Sequence, residues 1–363
     1  MKILFVTDLY PIGEEKIART LYYFVRKWQS QGHQIDVVRS NFIFNTFIRG
    51  RKIIKEKVYF ENGIKIYNLN FHTPFLFNVY NKLPVDFSLK NYDVIISHMP
   101  CGALMAQKLL EKDNIKYICA VHASDIRVLS DIKYSFYFKK QLKKSYLLAD
   151  KISARSPVLK EKINKLIPQT SGKTFICPSG IPKSFIVNTK QTYLNRDKLK
   201  LITVASLIQR KNIDTLIKTV NDIQNMTLTV IGSGKEENKL KKLAQSNIIF
   251  KGQIKREKVF EELKMSDIFV LLSDEETFGL SYLEAMASGC IVIGKKGDGL
   301  DGIILNEVNG FLVENSVQDL KKCLENIKNM SDAEIEVIRA NSLKTAAEYT
   351  EDNMAENYIE NIK

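Results

Sequence analysis

The sequence contains no run approaching the roughly 18 uninterrupted apolar residues that a helix needs to cross a bilayer. Its opening, Met1-Lys2-Ile3-Leu4-Phe5-Val6-Thr7-Asp8, has one cation, but the apolar stretch stops at Thr-Asp and is too short for the core of a signal peptide. A cytoplasmic protein is therefore expected. Cysteine is scarce: Cys101, Cys119, Cys177, Cys290 and Cys323 are odd in number, widely spaced and mostly set in apolar runs. That excludes a disulfide framework and a metal cluster and leaves buried thiols. With four histidines, no His/Asp group has metal-ligand spacing, and Asp274-Glu275-Glu276 is a run of consecutive acids in a loop. Acidic residues are thin in the first half, where the net charge is about +17 up to Lys190, against about −4 beyond it. The basic half is expected to meet something anionic: nucleic acid, a membrane surface or a phosphorylated acceptor would each satisfy it.

What is present is a core. Of the 363 residues 45% are hydrophobic, the fraction of an ordinary folded chain of two or three domains. Lys2 to Thr7 reads as a strand. Glu14 to Gln31 then places Ile17, Leu21, Phe24, Val25 and Trp28 at helical spacing, Gly32 stands where a helix ends, and Gln34 to Val38 is the next strand. Strand-like runs recur at Ile64 to Leu69, Tyr92 to Ser97, Tyr117 to Val121, Lys151 to Ala154 and Thr174 to Cys177, with helical stretches such as Ala103 to Glu111 between them. Periodicity lapses between Phe185 and Lys198. It then resumes with strands at Lys200 to Ala205, Leu228 to Ile231, Ile248 to Phe250, Ile268 to Leu272 and Ile291 to Ile293. Alternation of this kind predicts two doubly wound α/β domains, 1–190 and 191–340. A helical tail over 341–363 is expected to pack back on the first domain, and the default ligand site is the cleft between the domains.

The stretch LLSDEETFGLSYLEAMASG, Leu271 to Gly289, carries the most chemistry. A strand ends at Ser273, an acidic loop follows, and Phe278-Gly279-Leu280 opens a helix whose first amides are free to hold an anion such as a diphosphate. Glu276 is expected in the loop and Glu284 about two turns into the helix, both able to accept hydrogen bonds from sugar or ribose hydroxyls. Asp274 and Glu275 read as solvated acids.

This segment resembles the Glu-seven residues-Glu motif of the retaining glycosyltransferases of family 4, which adopt the two-domain GT-B fold and include bacterial surface-polysaccharide enzymes. Further pieces are similar to family motifs in family order: Gln31-Gly32-His33-Gln34-Ile35, Val121-His122-Ala123-Ser124-Asp125, Ser179-Gly180-Ile181, Gly252 with Asp267-Ile268, and Asn309-Gly310-Phe311-Leu312. The resemblance implies that Glu284 binds the donor's ribose and that Glu276 with the Phe278-Gly279-Leu280 backbone holds the donor sugar. It also implies that Lys211 neutralises the departing diphosphate and that His122 lies near the anomeric centre. A cation at the leaving group is required on physical grounds as well, because negative charge accumulates there. Ser206 stands where the family usually has an arginine, and Arg210, next to Lys211, is the candidate substitute. The family's early glycine pair is reduced to Gly13. The reaction so implied retains anomeric configuration, uses no metal, cofactor or protein nucleophile, and takes a nucleotide-sugar, with uridine diphosphate the favoured carrier.

The acceptor is expected to be a saccharide or a lipid-diphosphate-linked sugar. Tyr134 to Leu148 interleaves aromatics with paired lysines and reads either as a core helix or as a membrane-surface helix. Aromatics over Phe42 to Phe60 and Phe71 to Tyr80 look exposed, and together these suggest peripheral attachment to the anionic inner face of the membrane. Competing readings are a phosphorylase or epimerase on the same fold, a non-catalytic subunit, which Ser206 favours, and a basic nucleic-acid-binding protein. The last has no recognisable module and is disfavoured by the acidic second half. His98 reads as structural.

Overall fold

The structure is a computed structural model that describes residues 1–11, 19–42, 55–71, 82–111, 113–131, 133, 136–187 and 194–363. Two compact units emerge. The first comprises Met1–Arg155, Leu159–Pro178 and Met354–Lys363, and the second Ser156–Val158 and Ser179–Asn353.

In the first unit the elements run β1 (Lys2–Thr7), α1 (Arg19–Ser30), β2 (Gln34–Phe42), β3 (Val58–Glu61), β4 (Ile64–Phe71), β5 (Val94–His98), α2 (Met99–Leu110), β6 (Lys116–Val121), α3 (Ala123–Ser130), α4 (Phe136–Leu148), β7 (Lys151–Ala154), α5 (Pro157–Leu166) and β8 (Thr174–Ile176). The strands form one sheet in the order β3-β4-β2-β1-β5-β6-β7-β8. All pairs are parallel except β3 with β4, a hairpin that caps one edge. β3 has no long apolar run, which is why periodicity alone does not reveal it. Central strands read as unbroken apolar runs because helices cover both faces: Ile3, Leu4, Phe5 and Val6 are all buried. The apolar stripe of α1 (Leu21, Phe24, Val25, Trp28) is buried as its spacing predicts.

The second unit runs β9 (Leu199–Val204), α6 (Ile213–Asn221), β10 (Met226–Ile231), α7 (Glu237–Leu243), β11 (Ile248–Gly252), α8 (Arg256–Lys264), β12 (Ile268–Leu271), α9 (Leu280–Ala287), β13 (Ile291–Lys295), β14 (Phe311–Val313), α10 (Val317–Asn329), α11 (Asp332–Glu348) and the start of α12 (Glu351–Ile362), which from Met354 onward counts with the first unit. Its sheet is wholly parallel, β11-β10-β9-β12-β13-β14. Asp267 ties two neighbouring strands together by accepting from the Lys200 amide at 3.0 Å.

No element starts at residue 341. Helix α11 begins at Asp332, where Ser331 accepts from the Glu334 amide at 3.3 Å and Glu334 accepts from the Ser331 amide at 2.7 Å, a reciprocal cap. Helix ends at Glu348, and the Ile181 amide reaches the Tyr349 carbonyl at 3.0 Å before α12 starts. Side chains of α12 then complete the first unit's core: Trp28 Nε1 donates to the Ala355 carbonyl at 2.8 Å, and the Tyr358 ring lies edge-on to Phe24, Trp28 and Phe175. Among the described residues, no helix is long and apolar enough to cross a membrane.

Candidate active site

In each sheet the winding reverses once, between β1 and β5 and between β9 and β12. Ligands of open α/β sheets bind outside the carboxyl ends of strands at such points. In the second unit those ends carry the loop after β9 (Ala205 to Asn212) and the loop after β12 (Leu272 to Gly279).

The first loop is shaped by a turn that sequence patterning passes over, Gly232-Ser233-Gly234. The Leu207 amide donates to the Ser233 carbonyl at 2.9 Å. Any Cβ on Gly232 would lie 1.8 Å from the Ala205 carbonyl oxygen, and one on Gly234 would lie 2.3 Å from that of Leu207. Only glycine permits this approach of two backbones. The signal was there to be read as a Gly-x-Gly directly after a strand. Ser206 is exposed on the loop, and a single turn then presents Gln209, Arg210 and Lys211.

The acidic loop after β12 is held from four sides. Asn212 Nδ2 donates to the Leu272 carbonyl at 2.7 Å and to Asp274 Oδ2 at 2.9 Å. Lys295 forms an ion pair with Asp274. Arg210 Nη1 donates to the carbonyls of Asp274 and Glu275 at 3.2 and 3.3 Å. Asp298 accepts from the Glu276 amide at 3.1 Å and also from the Glu275 amide. Asp274 keeps a side chain 42% exposed, as its reading as a solvated acid suggests, but its carboxylate also serves as a strut of the loop. Arg210, next to Lys211 in the same turn, braces this loop through Nη1 alone. Asn212, Lys295 and Asp298 escape sequence reasoning because they come from the carboxyl ends of β9 and β13, which flank that of β12 only when the sheet is built.

So braced, the loop delivers Glu276 to Lys211, and the two form a close ion pair with side chains 15% and 10% exposed. Next to them Gly279 takes φ +90° and caps α9, where a Cβ would lie 2.6 Å from the Tyr282 ring. Phe278 is buried and Leu280 begins the helix, whose first amides have no acceptor within it. Glu284 lies little more than one turn into α9, not two, because the helix starts at Leu280. Its Oε1 accepts from Arg256 Nε and Nη2 at 2.9 and 2.7 Å.

His122 belongs to the first unit. It follows β6, caps α3, and its Nε2 lies 3.1 Å from Nδ1 of His98 at the end of β5; His98 Nε2 lies 3.3 Å from the Tyr358 hydroxyl. Burial lowers the His122 pKa to about 3, with the nearby Arg155 cation adding to it, and pushes His98 well down too. Asp125, fully buried, accepts from the Tyr146 hydroxyl at 2.7 Å and the His122 amide at 3.1 Å, and desolvation raises its carboxyl to about 7. Both rings are thus neutral hydrogen-bonding groups at physiological pH. Of the other predicted positions, Gly13 lies outside the described residues. Phe71 is buried, not exposed, and positions 43–54 and 72–80 lie outside the description. Among the described residues no three metal-ligating side chains converge on one point.

Two families match, end to end. Residues 17–185 match Glycosyltransferase Family 4, and residues 186–347 match Glycosyl transferases group 1. The chain is 26% identical over 304 residues to N-acetyl-alpha-D-glucosaminyl L-malate synthase of Bacillus anthracis, covering 78% of this chain and 76% of that one. It is 29% identical over 249 residues to an uncharacterized glycosyltransferase of Methanocaldococcus jannaschii, covering 65% of this chain and 66% of that one. Among solved structures, sucrose-phosphate synthase from Thermosynechococcus elongatus superposes with a TM-score of 0.74 at 18% identity, over 99% of this chain and 97% of that one. The Anabaena protein HepE in complex with UDP does so with 0.74 at 16% identity, over 99% of both. Two parallel Rossmann-like sheets, a braced acidic loop at the second switch point and family matches spanning residues 17–347 agree: the chain belongs to the family 4 glycosyltransferases and has the GT-B fold.

Proposed function

We propose that the protein transfers a glycosyl group from a nucleoside-diphosphate sugar, with UDP the favoured carrier, to a saccharide or lipid-diphosphate-linked acceptor, retaining anomeric configuration and using no metal. The observation that carries this reading is the Lys211–Glu276 pair set against the opening of α9 at the switch point of the second sheet. A diphosphate entering there meets a cation and unpaired amides, the two elements that stabilise a leaving group as it gains charge. Glu276, released from Lys211, accepts from donor-sugar hydroxyls, as do the amides around Phe278, Gly279 and Leu280. Glu284 accepts from the ribose. Ser206 completes the donor surface, and Arg210 contributes by bracing the loop.

In the reaction the bond from the anomeric carbon to the diphosphate oxygen breaks, its electron pair staying with the phosphate. An acceptor hydroxyl bonds to the same face of that carbon, and its proton passes to the departing phosphate oxygen. His122, neutral across the working pH range, hydrogen-bonds the sugar and does not act as base.

Helix α4 supports a peripheral membrane role. Its buried face is Leu142, Ser145 and Tyr146, while Phe136 (81% exposed), Tyr137, Lys140, Lys143, Lys144, Leu147 and Leu148 form the solvent face. Cations interleaved with exposed apolar groups suit an anionic leaflet bearing a lipid-linked acceptor. The decisive experiment on the donor site is calorimetric titration with uridine, guanosine and adenosine diphosphates. Selective binding of one of them in the presence of EDTA, lost in Glu284→Ala, is expected; absence of binding to all three would refute the reading.

A further inference from the structure

Glu284 is held by a device that nothing in the motif itself requires. Arg256, the first residue of α8, sends both Nε and Nη2 to the one oxygen Oε1, across to a different helix. Its guanidinium carbon lies 4.7 Å from the centre of the Phe185 ring, and Phe185 stacks on Phe260 with centroids 4.7 Å apart and planes at 19°. Lys264 Nζ lies over the Phe260 ring at 4.4 Å. Arg256, Phe260 and Lys264 recur every fourth residue of α8 and so share one face, into which Phe185 is slotted.

A surface ion pair has no need of such backing. Exposed pairs sample many geometries and contribute little. Here the aromatic layer fixes the plane of the guanidinium, and the side chains of Arg256 and Glu284 are only 26% and 12% exposed. A fork that delivers two donors to one carboxylate oxygen sets the carboxylate's rotation and leaves the other oxygen to accept elsewhere. We infer that Arg256 is the positioning residue for Glu284: by occupying Oε1 it aims Oε2 at the ribose hydroxyls of the donor nucleotide, and it thereby sets the preference for a ribonucleotide. The inference rests on the reading that Glu284 binds the donor's ribose.

The consequence is a loss of selectivity, not merely of affinity. Titrate the full chain with whichever of the three diphosphates binds most tightly, and with its 2′,3′-dideoxy form, in the wild type, Glu284→Ala, Arg256→Lys and Arg256→Gln. Wild type should prefer the ribonucleotide by about tenfold or more, as expected of hydrogen bonds to a charged acceptor. Arg256→Lys keeps the charge but not the fork, and it should lose most of that preference, as should Arg256→Gln, while affinity for the dideoxy form is unchanged. In turnover the donor's KM should rise with kcat held within about twofold, the mark of lost uniform binding. A purely structural Arg256 would weaken both nucleotides equally, and that result overturns the inference. So does a preference that survives in the Arg256 variants but vanishes in Glu284→Ala, which leaves the ribose reading intact. If the wild type binds none of the three or shows no preference, or if Glu284→Ala keeps it, the ribose reading itself falls and this inference with it.

Discussion

Asp125 and His122 lie one helical turn apart and titrate in opposite senses. His98 and His122 are held below the ordinary 6.5, so as pH falls the unfolded chain takes up protons that the folded one refuses, and stability declines. Asp125 is raised from 3.8 to about 7. Its folded carboxyl keeps a proton that the unfolded chain releases, a contribution present below about pH 4 and lost as pH rises through 7. In the wild type it offsets part of the histidines' loss. Asp125→Asn removes the offset, so between pH 7 and pH 5 the variant should lose on the order of 1–2 kcal/mol more stability than the wild type, read from urea midpoints. Tyr358→Phe deprives His98 Nε2 of its partner in a fully buried site and should cost about 1–3 kcal/mol.

Among the elements, the Gly232-Ser233-Gly234 turn decides the shape of the loop that carries Lys211. Gly234→Ala drives a methyl to 2.3 Å from the Leu207 oxygen, so the second unit should lose about 2–3 kcal/mol and bind diphosphate more weakly, by thermal unfolding and calorimetry. Helix α4 resolves a choice that periodicity leaves open, because it is both a core helix and a basic apolar surface: one stripe packs and the opposite one faces solvent. Replacing Lys140, Lys143 and Lys144 by Glu should abolish sedimentation with phosphatidylglycerol vesicles at low salt and leave nucleotide binding unchanged. Wild-type protein that ignores such vesicles would sink the membrane reading.

At the scale of the whole chain, residues Met354–Lys363 count with a unit that otherwise ends at Pro178. Ala355, Tyr358, Ile359 and Ile362 are buried there, against partners as distant in sequence as Trp28. Truncation after Asn353 should therefore lower the melting transition of the first unit, and the transition raised by added nucleotide diphosphate should stay in place. A single transition that falls as one would contradict that assignment. Since the two units have separate hydrophobic cores, two transitions are the expected calorimetric trace.

The sequence alone determined the family and the alternation of strand and helix, because both are written locally: buried parallel strands must be apolar runs, and the Glu276 to Glu284 segment is contiguous. Local too was the fall-off of pattern near the middle of the chain. Tertiary structure decided what touches those residues. Asp274 reads as merely solvated until Asn212 and Lys295 arrive from other strand ends, and nothing in the sequence shows that Arg210 reaches the carbonyls of Asp274 and Glu275. His98 becomes a partner of His122 only because β5 and β6 are neighbours. Arg256, lying 28 residues from Glu284, is an ordinary basic residue by sequence and becomes its clamp only when α8 and α9 pack side by side. Side-chain pairing across elements depends on register and packing, and no periodicity within one element encodes it.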